Sequence, residues 1–71
     1  LDASGLNCPL PVLKARKALS SMSPGQRLLL IATDKGAEKD IPAFSNITGN
    51  PLIETSEKDG KLHFLIEKGE G

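Results

Sequence analysis

Apolar and polar residues along this chain alternate with two different periods, and the switches between them mark out the elements. Leu1 and Ala3 point one way in a short strand predicted over Leu1 to Leu6, which Asn7 breaks. From Pro11 to Met22, Val12, Ala15, Leu19 and Met22 recur at helical spacing, with Lys14, Lys17 and Ser21 on the opposite side. Ser23-Pro24-Gly25 stops that helix. Leu28 to Ala32 is an unbroken apolar run, too short for a helix, and it predicts a central strand buried on both faces. Ala37, Ile41, Phe44 and Ile47 return to helical spacing. Pro42 is a poor interior residue, which puts it in the first turn with Asp40 near the N-cap; a start near Ala37 with a local kink is the competing reading. Gly49-Asn50-Pro51 ends this second helix. Leu52 to Ser56 and Leu62 to Ile66 are then two strands around Lys58-Asp59-Gly60-Lys61, where Asp-Gly signals a tight hairpin.

The order is therefore β-α-β-α-β-β. Right-handed crossovers lay both helices on one face of a four-stranded mixed sheet, a two-layer α/β (α+β) sandwich. No linker or repeat divides residues 1–71, which read as a single domain, and Gly69-Glu70-Gly71 reads as a loose tail.

Composition narrows the chemistry more than the fold. Cys8 is the only cysteine and His63 the only histidine, which excludes an internal disulfide, zinc ribbons, iron–sulfur clusters and Cys-x-x-Cys redox chemistry. No metal site is expected, and a reducing cytoplasm is the simplest home. No apolar run is long enough to cross a bilayer, Leu1 to Gly5 lacks a signal-peptide pattern, and the protein is read as soluble and monomeric. The net charge is zero but uneven. Through Thr33, Lys14, Arg16, Lys17 and Arg27 stand against Asp2 alone, so the first helix is basic. Nucleic acid would demand a larger basic excess and exposed aromatics, whereas the only aromatics are Phe44 and Phe64. A basic patch for a protein partner fits better.

Cys8 sits in Asn7-Cys8-Pro9-Leu10-Pro11, where a strand gives way to a helix. Pro9 and Pro11 fix the turn, and a helix start with free N–H groups favours a thiolate. A small buried side chain is the usual fate of a free cysteine, but this junction favours a reactive one. Arg16 lies at the edge of the apolar stripe. Lys17 belongs by default to a solvated face, and Leu10 and Leu13 fall away from the stripe on the side that carries Lys17. Together these four outline a docking patch beside the thiol. Asp34 and Asp40 cap the second helix or tie its loop, and they can border the site. Phe44 reads as core and His63 as a solvent-facing strand residue.

Leu1-Asp2-Ala3, Gly5-Leu6, Cys8-Pro9-Leu10-Pro11, Arg16-Lys17, Pro24-Gly25, Asp34, Asp40-Ile41-Pro42-x-Phe44 and Phe64-Leu65-Ile66-x-Lys68-Gly69 resemble the TusA (SirA-like) sulfur carrier family over nearly the whole chain. The resemblance implies the same sandwich and a persulfide carried on Cys8, with no other cofactor. It implies a cysteine desulfurase or a rhodanese as donor and a DsrE-like or other sulfur-acceptor protein as recipient. Pathways known for relatives include tRNA thiolation, cofactor biosynthesis and dissimilatory sulfur metabolism. Where the best-known relatives have a second cysteine after the Phe of the second-helix block, this chain has Ser45, in keeping with a one-thiol carrier. Two other classes stand beside it: a nucleic-acid-binding or regulatory module on an initiation-factor-like sandwich, and a single-thiol redox sensor.

Overall fold

A computed structural model describes residues 1–7 and 9–70; Cys8 and Gly71 lie outside the described residues. The elements run β1 (Asp2–Ala3), α1 (Leu10–Ser20), β2 (Arg27–Ala32), α2 (Ala37–Thr48), β3 (Leu52–Lys58) and β4 (Lys61–Glu67). The sheet order is β1-β2-β4-β3. β1 pairs parallel with β2, and β4 runs antiparallel between β2 and β3, so the sheet is mixed. Each helix is thus the crossover between two parallel strands, and both pack on one face.

The core is the space between the helices and that face. Ala15 and Leu19 of α1 and Ala37, Ile41 and Phe44 of α2 close over Leu30, Ala32, Leu62, Phe64 and Ile66 of the central strands. Burying a side chain of this size stabilises by about 1.5–3 kcal/mol. Val12 and Met22 pack at its margin, so the stripe read along α1 is the stripe that is buried.

Three expectations are corrected. β2 is central but not buried twice over: Leu28, Leu30 and Ala32 face the helices, whereas Leu29 is 44 % exposed on the other face, which no described helix covers. The unbroken apolar run concealed a two-residue alternation. α2 begins at Ala37, the competing start, with Pro42 inside it. One missing hydrogen bond there is offset by the burial of Ala37 and Ile41 in the same turns. Ile47 is 83 % exposed rather than core. At about 100° per residue, Ala37, Ile41, Phe44 and Thr48 share one stripe, and Ile47 stands roughly a quarter-turn from it.

The hairpin forms as read: Asp59 and Gly60 have φ of 53° and 76°, both in the left-handed region that a two-residue turn between twisted strands requires. Of the predicted tail Gly69-Glu70-Gly71, Gly69 is held in place, and Gly71 lies outside the described residues. Lys68 N–H donates to the Gln26 carbonyl at 2.7 Å, and the Lys68 carbonyl accepts from Gly25 N–H at 2.9 Å. Gly69 N–H reaches Asn50 Oδ1 at 2.8 Å. A Cβ on Gly69 would fall 2.0 Å from the Gly49 carbonyl oxygen, so only glycine allows this approach. Buried Asn50 is the hub: its Nδ2 donates to Thr48 Oγ1 and its carbonyl accepts from Ser45 Oγ.

Candidate functional site

Because β1 and β2 are parallel, their C-terminal ends meet one edge of the molecule, and both helices start there. The loop from Ser4 to Asn7 lies between β1 and α1 at this edge. It is held by Gly5 N–H to Thr33 Oγ1 at 2.8 Å, Leu6 N–H to the Ala3 carbonyl at 3.2 Å, and Ser4 N–H to Asp2 Oδ1 at 2.9 Å. Ser4 holds the Asp2 carboxyl below its usual range, through its nearby hydroxyl first and then through that N–H, with the positive charges of Lys61 and Lys14 adding to it. Burial pushes weakly the other way.

Cys8 lies outside the described residues, and the site is built from what flanks it. Asn7 is exposed and its carbonyl accepts from Leu10 N–H at 2.9 Å; Pro9 is the N-cap residue of α1, and its carbonyl accepts from Leu13 N–H at 3.1 Å. Pro11 is buried inside the first turn. The helix start therefore offers fewer free N–H groups than expected: those of Leu10 and Leu13 are used, and Pro9 and Pro11 have none. The dipole remains.

Beside Pro9 runs a groove of about 470 Å³ between α1 and α2. Val12, Leu13 and Arg16 form one wall, and Asp40, Ala43 and Ile47 the other. Arg16 and Asp40 put opposite charges on opposite walls without forming an ion pair with each other. Leu10 and Leu13, 47 % and 51 % exposed, lie with Lys17 on an outward ridge at spacings of three and four residues along the groove's rim. All four residues of the sequence-read patch thus share one surface with Pro9.

The two acids separate. Asp40 is in the groove, whereas Asp34 belongs to the loop that starts α2, its Oδ1 accepting from Gly36 N–H at 3.4 Å and its carbonyl from Ala37 N–H at 3.0 Å. Ser45 faces the other way, buried against Asn50. Ala43 and Ile47 escaped the sequence reading. The stripe angle of Ile47 and the exposed isoleucine it creates were the available signal.

The geometry defines a class: a small two-layer scaffold with an open groove between its helices, beside Pro9, the residue that follows Cys8 in the sequence. Comparison with known proteins makes it specific. Residues 1–68 match the family described as Sulfurtransferase TusA. The sulfur carrier protein TusA of Allochromatium vinosum is 62 % identical over 68 residues, covering 96 % of this chain and 90 % of that protein. The crystal structure of the SirA-like protein from Desulfitobacterium hafniense superposes with a TM-score of 0.86 at 29 % identity, over 99 % of this chain and 96 % of the other. The chain belongs to the TusA family. It is a sulfur-relay carrier rather than an enzyme that turns over a free substrate, and sulfur relay of this kind joins a donor protein to an acceptor protein.

Proposed function

We propose that Cys8 accepts a sulfane sulfur as a persulfide from a cysteine desulfurase or a rhodanese and relays it to an acceptor protein of the DsrE-like kind, in the cytoplasm. The Cys8 thiolate attacks the terminal sulfur of the donor's persulfide. An S–S bond forms to Cys8 as the donor's own S–S bond breaks, and the donor leaves as a thiolate. An acceptor thiolate then attacks that same sulfur, and the Cys8 thiolate is restored. Charge and sulfur balance in both steps, and neither step calls for a metal, a base or a further cofactor.

The observation that carries this reading is the exposed ridge of Leu10, Leu13 and Lys17, with the Arg16/Asp40 groove, running directly from Pro9. Exposed leucines cost little in isolation, but a row of them beside the only thiol is what two proteins need to bring their sulfurs together. Pro9 and Pro11 fix the turn that presents the thiol. Among the described residues no helix is long and apolar enough to cross a membrane.

Intact-mass analysis after incubation with a cysteine desulfurase and cysteine tests the transfer. One added sulfur atom on the wild-type chain and none on Cys8→Ser is the expected result. Equal sulfur on both would place the chemistry elsewhere.

A further inference from the structure

The ladder that holds β1 ends early. Asp2 pairs with Ile31 and Ala3 with Ala32, so the next rung would set Ser4 beside Thr33. Gly5 turns the chain away there, at a φ of 81°. A side chain then takes over from the backbone: Gly5 N–H donates to Thr33 Oγ1 at 2.8 Å, across 28 positions of sequence. The neighbouring bonds are of another kind. Ser4 N–H to Asp2 Oδ1, Leu6 N–H to the Ala3 carbonyl and Leu10 N–H to the Asn7 carbonyl each close within two or three residues, so they shape the loop without fixing it to the sheet. Thr33 itself is fixed on both sides. Ala32 before it is fully buried in β2, and after it the Asp34 carbonyl accepts from Ala37 N–H at 3.0 Å in the turn that starts α2. One hydroxyl therefore ties the loop before α1 to the loop before α2, the two helices whose facing sides form the groove.

We propose that Thr33 is a positioning residue for Cys8, acting through the N–H of Gly5. Cys8 follows Gly5 by three residues, at most about 10 Å of chain, so pinning Gly5 limits how far the thiol-bearing turn can wander. Pro9, the N-cap of α1, bounds the same turn from the other side. Thr33 meets no sulfur and gives up no proton. It sets the fraction of time that the turn stands ready for attack, and a loosened geometry is lost as rate. Leu10, Leu13, Arg16 and Lys17 keep their places on α1 whether or not the bond is made, so a donor docks as before. The inference rests on Cys8 being the thiol that carries sulfur, and it assigns a role to a residue that reads in sequence only as the end of an apolar run.

Thr33→Val keeps the branched shape at an exposed position and removes the acceptor, whereas Thr33→Ser keeps the acceptor. In saturation kinetics of sulfur loading by a cysteine desulfurase, followed by intact mass, Thr33→Val lowers the maximal rate roughly tenfold, the worth of one net hydrogen bond, at unchanged KM, and Thr33→Ser restores it. Alkylation of Cys8 by iodoacetamide as a function of pH is a second readout that needs no donor. A turn released from Thr33 spends less time at the positive end of α1, so the Thr33→Val profile moves to higher pH, towards that of an ordinary cysteine, and the Thr33→Ser profile coincides with the wild type. If the wild-type chain takes up no sulfur, the carrier reading fails and the alkylation profiles still decide the role of Thr33. A Thr33→Val profile that coincides with the wild type overturns the proposal. So does a raised KM at unchanged maximal rate, which would make Thr33 part of the docking surface, or a defect that Thr33→Ser does not repair. Circular dichroism checks that each variant is folded, and Thr33→Ala carries the same comparison if Thr33→Val is not.

Discussion

The two ends of the molecule are built on opposite plans. At the end where α1 and α2 finish, Gly25, Gln26, Ser45, Thr48, Asn50, Lys68 and Gly69 are tied by side-chain and backbone hydrogen bonds around a buried asparagine. At the end where the helices start, the loop from Ser4 to Asn7 is held by a few bonds, and the ridge beside it exposes leucine. On the proposed role, a thiol offered to two partners in turn needs that second end to be accessible. The first end supplies the order that the second gives up. Stability and chemistry are therefore separable by mutation, and that separation can be broken or sharpened in stages.

The largest effect belongs to the sulfur atom itself. Cys8→Ser should abolish sulfur uptake in the intact-mass assay while leaving the thermal midpoint within experimental scatter, and a shifted midpoint would mean that the side chain is part of the packing. At the far end, Asn50→Ala leaves the Gly69 N–H without its partner and removes the bond that Thr48 Oγ1 accepts, an expected loss of about 1–3 kcal/mol in denaturant unfolding. Gly69→Ala, which drives a methyl group into the Gly49 carbonyl, should cost about as much as other overpacked substitutions, 1–3 kcal/mol. Neither change should alter the rate of sulfur loading when measured well below the melting temperature. A slowed rate would show that the two ends are coupled.

Reversing the groove charge with Arg16→Glu should do the converse. A tenfold slower loading by the donor corresponds to about 1.4 kcal/mol of lost interaction, while unfolding stability should stay within about 0.5 kcal/mol, as for other exposed positions. Unchanged loading would remove the groove from the docking surface. The smallest effect is at Asp2. Its carboxyl titrates lower in the folded chain than in the unfolded one, so its contribution is complete above the ordinary carboxylate range and is lost as pH falls through the depressed value. Amide exchange at Ser4 should quicken in that acid window, and Asp2→Asn should flatten the dependence.

Much of this was legible in the residues, for reasons that also explain what was not. The stripe of Val12, Ala15, Leu19 and Met22 and the Asp59-Gly60 turn are local signals, since spacing and backbone preference are decided within a few residues. Leu10, Leu13, Arg16 and Lys17 could be placed beside Cys8 for the same reason: they lie within three turns of one helix. What failed depended on contacts distant in sequence. Leu29 reads as buried until β4 is seen to cover the sheet's edge and not its face, and Gly69 reads as a tail until Gly49 and Asn50 are found against it. Pro42 misled because a local preference was outweighed by the packing of Ala37 and Ile41. The opposite wall of the groove, Asp40 and Ile47, could not be joined to Arg16 without knowing that the helices lie side by side.

The position of β4 has a consequence for how the protein is made. β4, the last of the four strands of this sheet to leave the ribosome, is not added to an edge but inserted between β2 and β3, so the sheet stays in two pieces until Glu67 has been synthesised and has emerged. Nascent chains halted anywhere in β4 should remain protease-sensitive throughout. A carrier built this way presents its thiol-bearing turn to partners only as a finished domain, and a half-translated copy has no ordered surface with which to compete for their sulfur.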